Sequence, residues 1–543
     1  MIIFRTNASS SSGIGHLARC RRLAIFLKKN GYKVSFALDY QNEYLNNFLI
    51  EFQVFSVYSF TESYLNQEED AKRTIRLFSK KEVKAIIVDD YRFFDIWESV
   101  IRNIGCKIVV LDDQDKNNHF CDLLVDSTWQ GIKTLQRYKN KIHKDCMRLL
   151  GPKYLLIDNP FKSNPNFEYL ISNNKKTFRI LLSLGGGGNL LFLTSLIEPI
   201  INLIPKNLNL KISVVVGPYA IKQNEFLHFS EKYDELNVIL NPDGLFDEMS
   251  KTNLYIGTSG GTLFEALALK IPCLTFSMGE NQKNKHSNFE DLGHFLHLNE
   301  VNELDFSTFA SLVLEIITQY DRVLKLYQQS PLYRIDWKGV KRVGRAIHNI
   351  IVENNITKSE DINVKESTEG ISDYELVEIN DNEINRYLDA RNQQVNLEKG
   401  FDKDSPTRIN HYLWWLKSNK KTSYVLKKNQ KNLLYIWHEV SKVKKENVIF
   451  SGWFISDQSC SALDAMYAIT EHSRIIDYLF PSYYWIIVMK IDNYFMQKLH
   501  RRLKFKIIEK DGKIEKIVNQ FLSNRHSFSK AKSNEFMYLY KKI

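Results

Sequence analysis

The stretch IIFRTNASSSSGIGHLARCRRLAIFLKKNG, residues 2–31, determines the fold prediction. It opens on β-branched and aromatic residues, passes through small polar residues and glycines, and continues with apolar residues at helical spacing up to Gly31, a typical C-cap residue. This order predicts a strand, a glycine loop and a helix. The loop, which includes Gly15, leaves backbone N–H groups at a positive helix end, where a phosphate can bind. His16 adds a titratable side chain to the same loop.

Strands and helices alternate throughout residues 1–160. Helices such as residues 69–79 separate strands that are predicted at residues 33–37, 85–89, 107–111 and 123–125. Apolar strands separated by amphipathic helices predict an α/β fold, with a parallel sheet covered by helices on both faces. Residues 1–160 are therefore predicted to form a Rossmann-like domain.

Acidic residues follow two of these strands. Asp89 and Asp90, followed by Tyr91, end one strand, and Asp112 with Asp113 ends the next. The carboxyl ends of parallel strands are where α/β folds bind ligands, so these side chains are well placed for a site. Loop capping is the alternative interpretation for Asp112 and Asp113.

A second unit of the same kind is predicted for residues 161–351. The strand at residues 178–184 runs into a four-glycine loop that begins with Gly185 and Gly186, and further strands are predicted at residues 210–216, 238–240, 254–256 and 273–276. The segment GTSGGTLFE, residues 257–265, again indicates a strand, a glycine loop and a helix start. Two such units in tandem predict two Rossmann-like domains facing each other across a cleft, the GT-B arrangement of nucleotide-sugar enzymes.

Polar and small residues of this second unit are candidate ligand contacts. Ser259 and Gly260 let the backbone approach a ligand closely. Glu265 follows about one helical turn later, where a carboxylate can accept hydrogen bonds from a ribose diol; stabilisation of the helix dipole is the alternative. Asn281 and Gln282 follow another strand end and can reach the cleft.

The remaining chain differs in character. Residues 352–372 are polar without apolar periodicity, which predicts a linker. Residues 373–543 mix helices with antiparallel strands and predict a separate α+β domain. The formal net charge is +11, but the lysines are dispersed and no nucleic-acid-binding motif is present, so no nucleic-acid partner is expected. The six scattered cysteines and the lack of a long apolar segment predict a cytoplasmic protein without disulfides, structural zinc or membrane insertion.

The first 350 residues resemble a known enzyme family through an ordered series of segments. After FRTNASSSSGIGHLARC come IIVDDYRF, VVLDDQD, CDLLVDST, GPKYLLIDNPF, ILLSLGGGGN, IGTSGGTLFEALALKIPCL, GENQ and DWKGVKRVGRAI. This series is similar to that of the UDP-sugar hydrolases of pseudaminic acid biosynthesis. Those enzymes in turn resemble the bacterial glycosyltransferase that adds N-acetylglucosamine to the lipid-linked peptidoglycan precursor.

The resemblance implies an activity and a set of roles. The implied reaction is hydrolysis of UDP-2,4-diacetamido-2,4,6-trideoxy-β-L-altropyranose to the free sugar and UDP. It requires no metal and no cofactor, and other enzymes of the same pathway are the expected protein partners. His16 is implied as the base, since an imidazole with a reference pKa of about 6.5 can accept a proton from water. The positions around the sugar are Tyr91, Asn281 and Gln282, and those on the uridine diphosphate side are Ser259, Gly260 and Glu265. One departure is Asn189 after the four glycines, where the family often has Gly-Gly-Thr/Ser-Asp.

The C-terminal domain resembles GNAT acyltransferases, in particular the acetyltransferase of the same sugar pathway. The resemblance rests on ARNQQVNLEKGFDKDSPTRINHYLWWLKS, residues 390–418, and NYFMQKLHRRLKF, residues 493–505. It implies acetyl-CoA as cofactor and acetylation of the UDP-4-amino sugar that precedes hydrolysis, with Asn493 at the site and His500, in place of a tyrosine, donating a proton. The glycines that cradle coenzyme A are replaced by QSCSA, residues 458–462, so a degenerate domain kept for scaffolding or sugar binding is the alternative.

Two other functions remain open for residues 1–351. A GT-B glycosyltransferase would use the same nucleotide loops with a sugar or lipid acceptor in place of water. A non-catalytic nucleotide-sugar-binding protein would use them without turnover.

Overall fold

The computed structural model describes residues 1–8, 13–59, 62–157, 177–242, 244–279, 282–299, 301, 304–352, 374–399, 405–418, 421–508, 512–523 and 536–543. Two compact units divide the chain, Met1–Ile362 and Asn363–Ile543. Their boundary falls inside the segment for which a linker is predicted. Among the helices that the structure describes, none is long and apolar enough to cross a membrane.

The first half of unit 1 is built on a seven-stranded parallel sheet of order β3-β2-β1-β4-β5-β6-β7. Its strands are β1 (Ile2–Thr6), β2 (Val34–Leu38), β3 (Gln53–Ser56), β4 (Ala85–Asp89), β5 (Lys107–Leu111), β6 (Leu123–Asp126) and β7 (Met147–Leu150). Its helices are α1 (Gly15–Lys29), α2 (Glu43–Phe48), α3 (Gln67–Phe78) and α4 (Asp95–Arg102). Helices cover both faces of this sheet, so β1 and β4 are buried at every position.

The second half of unit 1 repeats the plan with a six-stranded parallel sheet of order β12-β10-β8-β13-β14-β15. Its strands, with the short parallel pair β9 and β11, are β8 (Phe178–Ser183), β9 (Gly187–Asn189), β10 (Leu210–Val216), β11 (Tyr219–Ile221), β12 (Leu236–Leu240), β13 (Leu254–Thr258), β14 (Cys273–Phe276) and β15 (Leu296–Leu298). Its helices are α5 (Leu191–Leu203), α6 (Gln223–Ser230), α7 (Phe246–Met249), α8 (Gly261–Ala268), α9 (His286–Glu290), α10 (Phe306–Thr318), α11 (Tyr320–Gln328) and α12 (Gly339–Val352). The prediction of two Rossmann-like α/β units with parallel sheets is confirmed, and their GT-B arrangement stays a prediction.

Helix α12 ends the second half in sequence but packs on the first half. Val343, Ile347 and Ile350 belong to the hydrophobic core that contains the buried face of α1. A Cβ on Gly344 would lie 2.3 Å from Cδ1 of Phe26, so the glycine lets α12 and α1 approach closely. The apolar face of α12 is therefore buried against the first half of unit 1, although the sequence assigns these residues to the second half.

Unit 2 has a mixed seven-stranded sheet of order β16-β17-β18-β19-β20-β22-β21, in which only β19 and β20 are parallel neighbours. The strands are β16 (Tyr374–Glu378), β17 (Lys421–Lys428), β18 (Lys431–Val443), β19 (Glu446–Ile455), β20 (Tyr484–Lys490), β21 (Lys506–Ile507) and β22 (Phe536–Lys542). The helices are α13 (Ile384–Arg391), α14 (Gln394–Lys399), α15 (Arg408–Lys417), α16 (Ala462–Leu479), α17 (Tyr494–Arg502) and α18 (Lys513–Ser523). This sheet agrees with the predicted α+β class, whereas the GNAT-like assignment stays a prediction.

Candidate functional site

His16 lies in the first turn of α1 and is paired with the carboxylate of Asp89, at the end of β4. Strands β1 and β4 are adjacent, and their register places Thr6 beside Asp89. The glycine loop after β1 brings His16 back over the end of β4, where its Nδ1 lies 2.6 Å from Oδ1 of Asp89. The Asp89 side chain is fully buried, whereas that of His16 keeps 15% of its surface exposed. The pair therefore joins a buried carboxylate to an imidazole that solvent can reach.

Arg19, one turn further along α1, holds the same carboxylate. Its Nε and Nη2 lie 2.6 Å and 2.5 Å from the two oxygens of Asp89, a bidentate arrangement. Burial raises the pKa of Asp89, but the charge of Arg19 and the hydrogen bonds from Arg19 and His16 outweigh it and hold that pKa well below its usual range. Asp89 is therefore ionised, and we assign the hydrogen on Nδ1 of His16 as the one it accepts. Nε2 is then the nitrogen with a lone pair.

Tyr91 and Asp113 extend this network on the other side of the imidazole. The Tyr91 ring meets the His16 ring edge-on, with centroids 4.8 Å apart. Its hydroxyl donates a 2.6 Å hydrogen bond to Asp113, which also pairs with Arg19 at 3.2 Å. Burial and the Asp113 carboxylate raise the pKa of Tyr91, so the phenol stays protonated. The predicted sugar-contacting residue Tyr91 is thus beside His16.

The glycine loops of the two halves of unit 1 are in contact. A Cβ on Gly186 would lie 2.7 Å from the backbone nitrogen of Ile14, the residue that precedes Gly15. Gly185, next to it, has a φ of +88°, a conformation that favours glycine. In addition, the Tyr219 hydroxyl donates a 3.2 Å hydrogen bond to the carbonyl of Ala8. The loop that carries His16 therefore lies directly against the predicted phosphate loop of the second half.

The second glycine loop of the second half contacts the loop after β14. Gly260 caps α8, and the Ser259 hydroxyl donates a 2.8 Å hydrogen bond to the carbonyl of Gln282. The Gln282 side-chain oxygen accepts from the backbone of Met278 at 2.9 Å. Ser259, Gly260 and Gln282 are therefore brought together, while Asn281 lies outside the described residues.

Glu265 of α8 forms an ion pair across the two halves. Nη2 of Arg22, on α1, lies 2.6 Å from Oε1 of Glu265. The sequence assigns this carboxylate to a ribose, and the structure adds a partner from the opposite domain. The pair connects the nucleotide-side helix α8 to the helix that carries His16.

If Glu265 binds the ribose as the resemblance implies, replacing it by alanine should raise KM for a nucleotide sugar about tenfold, because a hydrogen bond to a charged group contributes about 1.5–3 kcal/mol. Arg22→Ala is the matched variant, since it breaks the same ion pair but leaves the carboxylate, and its KM should stay within about twofold. Steady-state kinetics on both variants measure this. Equal increases in KM would mean that Glu265 acts only through Arg22.

Behind the Asp112–Asp113 turn, His119 is buried between two carboxylates. Its Nδ1 lies 2.7 Å from Glu98, and its Nε2 lies 3.6 Å from Asp112. Burial lowers the pKa of His119, but the nearby Asp112 and Glu98 carboxylates, the latter hydrogen-bonded to Nδ1, raise it to about 9. The imidazolium thus supports the turn that supplies Asp113.

This raised pKa implies a pH-dependent contribution to stability. The contribution is complete below the unfolded-state pKa of about 6.5 and is lost as the pH rises through about 9. Thermal melting of the wild type and of His119→Gln from about pH 6 to 10 should show the gap in stability narrowing across that range. The exposed His143→Gln serves as control; a constant gap for His119→Gln would contradict a cationic His119.

The sequence analysis did not predict the roles of three residues of the site, Asp89, Arg19 and Arg22. Asp89 carried the right signal, a carboxylate at a strand end, but nothing in the sequence pairs it with His16. Arg19 and Arg22 look like solvated charges of an amphipathic helix. Their partners are 70 and 243 residues away, and only the folded chain brings them together.

In unit 2, Asn493 and His500 line a cleft of about 1820 Å³. Asn493 caps α17 through a 3.2 Å bond from the backbone of Met496. Nδ1 of His500 donates to the Met496 carbonyl at 2.8 Å, which leaves Nε2 as an acceptor, and burial lowers the pKa of His500 to about 4. The proton-donor role expected for His500 stays a prediction. The acetyl-CoA requirement stays a prediction.

Within the ranges described above, no group of three or more His, Cys, Asp or Glu side chains is placed to hold a metal ion.

Comparisons with known proteins give distant similarities. No family model matches the chain. An uncharacterized protein of Methanocaldococcus jannaschii is 23% identical over 435 residues, which cover 79% of this chain and 80% of that protein. The spore coat polysaccharide biosynthesis protein SpsG of Bacillus subtilis is 23% identical over 346 residues, which cover 62% of this chain and 95% of that protein.

Solved structures show distant similarity as well. Acinetobacter baumannii MurG aligns with a TM-score of 0.44 and 12% identity, covering 64% of this chain and 99% of that one. The UDP-GlcNAc 2-epimerase from Neisseria meningitidis bound to UDP-GlcNAc aligns with a TM-score of 0.44 and 13% identity, covering 64% of this chain and 100% of that one.

Proposed function

We propose that unit 1 is a nucleotide-sugar hydrolase that converts UDP-2,4-diacetamido-2,4,6-trideoxy-β-L-altropyranose and water into the free sugar and UDP. The observation that carries the proposal is the His16–Asp89 pair at 2.6 Å, located where the glycine loops of the two halves meet. The ordered sequence segments that resemble the hydrolase family support the choice of substrate. The relative SpsG, named for polysaccharide biosynthesis, supports sugar chemistry more generally.

The dyad accounts for activation of water. Asp89 accepts the hydrogen on Nδ1, so Nε2 of His16 can accept a proton from a water molecule as its oxygen attacks the anomeric carbon. The buried carboxylate then stabilises the imidazolium that forms, as in other carboxylate–histidine pairs. Arg19 keeps Asp89 ionised and immobile, so the imidazole stays in one tautomer and one orientation.

UDP is the leaving group of the proposed reaction. The bond between the anomeric carbon and the diphosphate oxygen breaks with its electron pair on the leaving oxygen, while the water proton resides on His16. Negative charge grows on the diphosphate, where the backbone N–H of Gly186 and the α8 N-terminus at Gly260 would stabilise it, with Gly185 letting the loop approach closely. Tyr91, beside the imidazole, would contact the sugar.

Product analysis without any acceptor tests the proposal. The full chain is incubated with a panel of UDP-diacetamido sugars in H₂¹⁸O and quenched early, and mass spectrometry follows both products. We expect UDP without label and free sugar with one ¹⁸O, only from the altrose nucleotide or close isomers. Unlabelled free sugar with ¹⁸O-labelled UDP would indicate attack at the β-phosphorus instead, and labelled UMP with a sugar 1-phosphate would indicate attack at the α-phosphorus.

The same dyad can also deprotonate an acceptor hydroxyl, which is the glycosyltransferase alternative. UDP release that requires an added sugar or lipid acceptor would favour that alternative. Tight UDP-sugar binding without turnover under either condition would favour a binding protein.

A further inference from the structure

The two halves of unit 1 also meet at the loop that follows β6, residues 127–131. Strand β6 belongs to the same parallel sheet as β1, so this loop leaves the sheet at the edge where His16 lies. Trp129 of the loop is 3% exposed. Its Nε1 donates a 2.8 Å hydrogen bond to Asp291, and its ring centroid lies 4.0 Å from that of Tyr333. A tryptophan of the first half is therefore buried against residues of the second half.

Two further contacts join the 127–131 loop to residues 282–291 of the second half. The side-chain amide of Asn284 donates a 2.9 Å hydrogen bond to the Trp129 carbonyl. Gly131 has a φ of +71°, and a Cβ there would lie 3.0 Å from Oδ1 of Asn288. The amide N–H₂ of Asn288 in turn donates to Asn284 at 2.7 Å. The loop thus holds the 282–291 segment through an indole, a backbone carbonyl and a close approach at glycine.

The 282–291 segment leads directly to the proposed nucleotide loops. The carbonyl of Gln282, its first residue, accepts the 2.8 Å hydrogen bond from the Ser259 hydroxyl. Ser259 in turn precedes Gly260, the N-cap of α8. Any displacement of the 282–291 segment is therefore transmitted to the loop that is proposed to hold UDP.

On the first half, Arg137 fixes the 127–131 loop to the network around His16. Arg137 is 7% exposed. Its guanidinium donates to the Thr128 hydroxyl and pairs with Asp126 at 2.7 Å. It also donates to the Asp113 carbonyl at 2.9 Å. A continuous series of contacts therefore runs from the surroundings of His16, through the 127–131 loop, to the second half.

We propose that Trp129 is a positioning residue that keeps the 282–291 segment at a fixed distance from His16. The indole is too buried to contact a substrate, and its N–H is already donated to Asp291, so it acts only through this segment. A sugar whose diphosphate is bound by the second half then presents its anomeric carbon to Nε2 of His16. This inference rests on the hydrolase proposal, because it concerns the distance between the proposed base and the proposed nucleotide loops.

Trp129→Phe tests the inference, because phenylalanine keeps a ring beside Tyr333 but has no N–H for Asp291. We expect kcat for UDP release to fall by about 10–100-fold, since a displacement of about 1 Å at the reacting atoms can cost about a hundredfold. The dissociation constant for UDP, measured by calorimetry, should stay within about twofold, because the proposed UDP contacts lie in the second half. The pH at which kcat is half-maximal should not move, because the His16–Asp89 pair is intact.

Hydrogen–deuterium exchange reports on the 282–291 segment without any substrate. Peptides that cover this segment should exchange faster in Trp129→Phe than in the wild type, whereas peptides from α1 should not change. Asn284→Ala removes a contact with Trp129 from the opposite half and should change kcat and exchange in the same direction. The double variant should lose less than the product of the two single effects, because both substitutions loosen one shared interface.

Trp97→Phe is the matched control. Trp97 belongs to the first half, is fully buried, and donates from Nε1 to Asp70 at 2.9 Å. The substitution therefore removes an equivalent indole–carboxylate hydrogen bond that does not involve the second half. It should lower the melting temperature about as much as Trp129→Phe does, while kcat per folded molecule stays within about twofold of the wild type.

Three outcomes would overturn the inference. The first is a Trp129→Phe protein with the kcat and the exchange of the wild type. The second is a rise in the dissociation constant for UDP as large as the fall in kcat, since Trp129 would then act through nucleotide binding. The third is an equal loss of kcat in Trp97→Phe. A wild type that releases no UDP would instead contradict the hydrolase proposal, and the exchange of residues 282–291 would then decide alone whether Trp129 holds the segment.

Discussion

His16→Ala is expected to lower kcat for UDP release by about a thousandfold, because general-base catalysis contributes about 10²–10⁴ to a rate. KM should stay within about twofold, since the proposed nucleotide contacts belong to the loops of the second half and the variant removes a group proposed to act in the transition state. The measurement is steady-state UDP release followed by chromatography. A small residual rate is expected from the glycine loops and from binding alone.

The control for this variant is His143→Ala. His143 belongs to the same half of unit 1, and its side chain is 59% exposed beside Asp145. It should retain wild-type kcat and KM. If His16→Ala keeps more than about a tenth of the wild-type kcat, the imidazole is not the base and the proposed mechanism fails.

The sequence predicts best those strands that are buried on both faces of the sheet. The strands at residues 85–89 and 107–111 were predicted with the bounds that the structure shows for β4 and β5, since fully buried parallel strands form continuous apolar runs. The edge strand β3 was not predicted, because Gln53–Ser56 is partly exposed and lacks such a run. Because β3 lies at the edge of the sheet and is partly exposed, it lacks the continuous apolar run from which buried strands are predicted.

The chemistry of the site was predictable only in part, for the same physical reason. A histidine on a glycine loop is a local feature, so His16 could be singled out. The orientation of the His16 ring depends on β1 and β4 being neighbours in the sheet. The ionisation of its partner Asp89 depends on the ion pair that Arg19 of α1 forms with that carboxylate. Such couplings arise from tertiary packing, and single-sequence periodicity does not contain them.

Packing also explains the unexpected position of α12. The sequence places residues 339–351 in the second unit and does not indicate which surface buries them. The structure places α12 on α1, the helix that begins at the His16 loop. The end of the second half is thereby packed on the helix that positions the proposed base.

Asp89→Asn tests the dyad separately from the base. The asparagine keeps the shape of the carboxylate, but its amide N–H₂ can donate to Nδ1, which would move the imidazole hydrogen to Nε2 and remove the lone pair that accepts the proton. We therefore expect kcat to fall by about 10²–10⁴ with little change in KM. Loss of the buried charge also weakens the bidentate Arg19 contact, so unit 1 should lose about 3 kcal/mol of stability, measured by chemical unfolding.

Asp113→Asn is the matched variant, because it removes a carboxylate that contacts Arg19 and Tyr91 but not His16. It should cost stability through the same arginine, while kcat falls by no more than about tenfold. A catalytic loss in Asp113→Asn as large as that in Asp89→Asn would mean that both carboxylates act by holding Arg19. The tautomer of His16 would then not be what Asp89 controls, and the direct 2.6 Å contact between Asp89 and His16 would be structural.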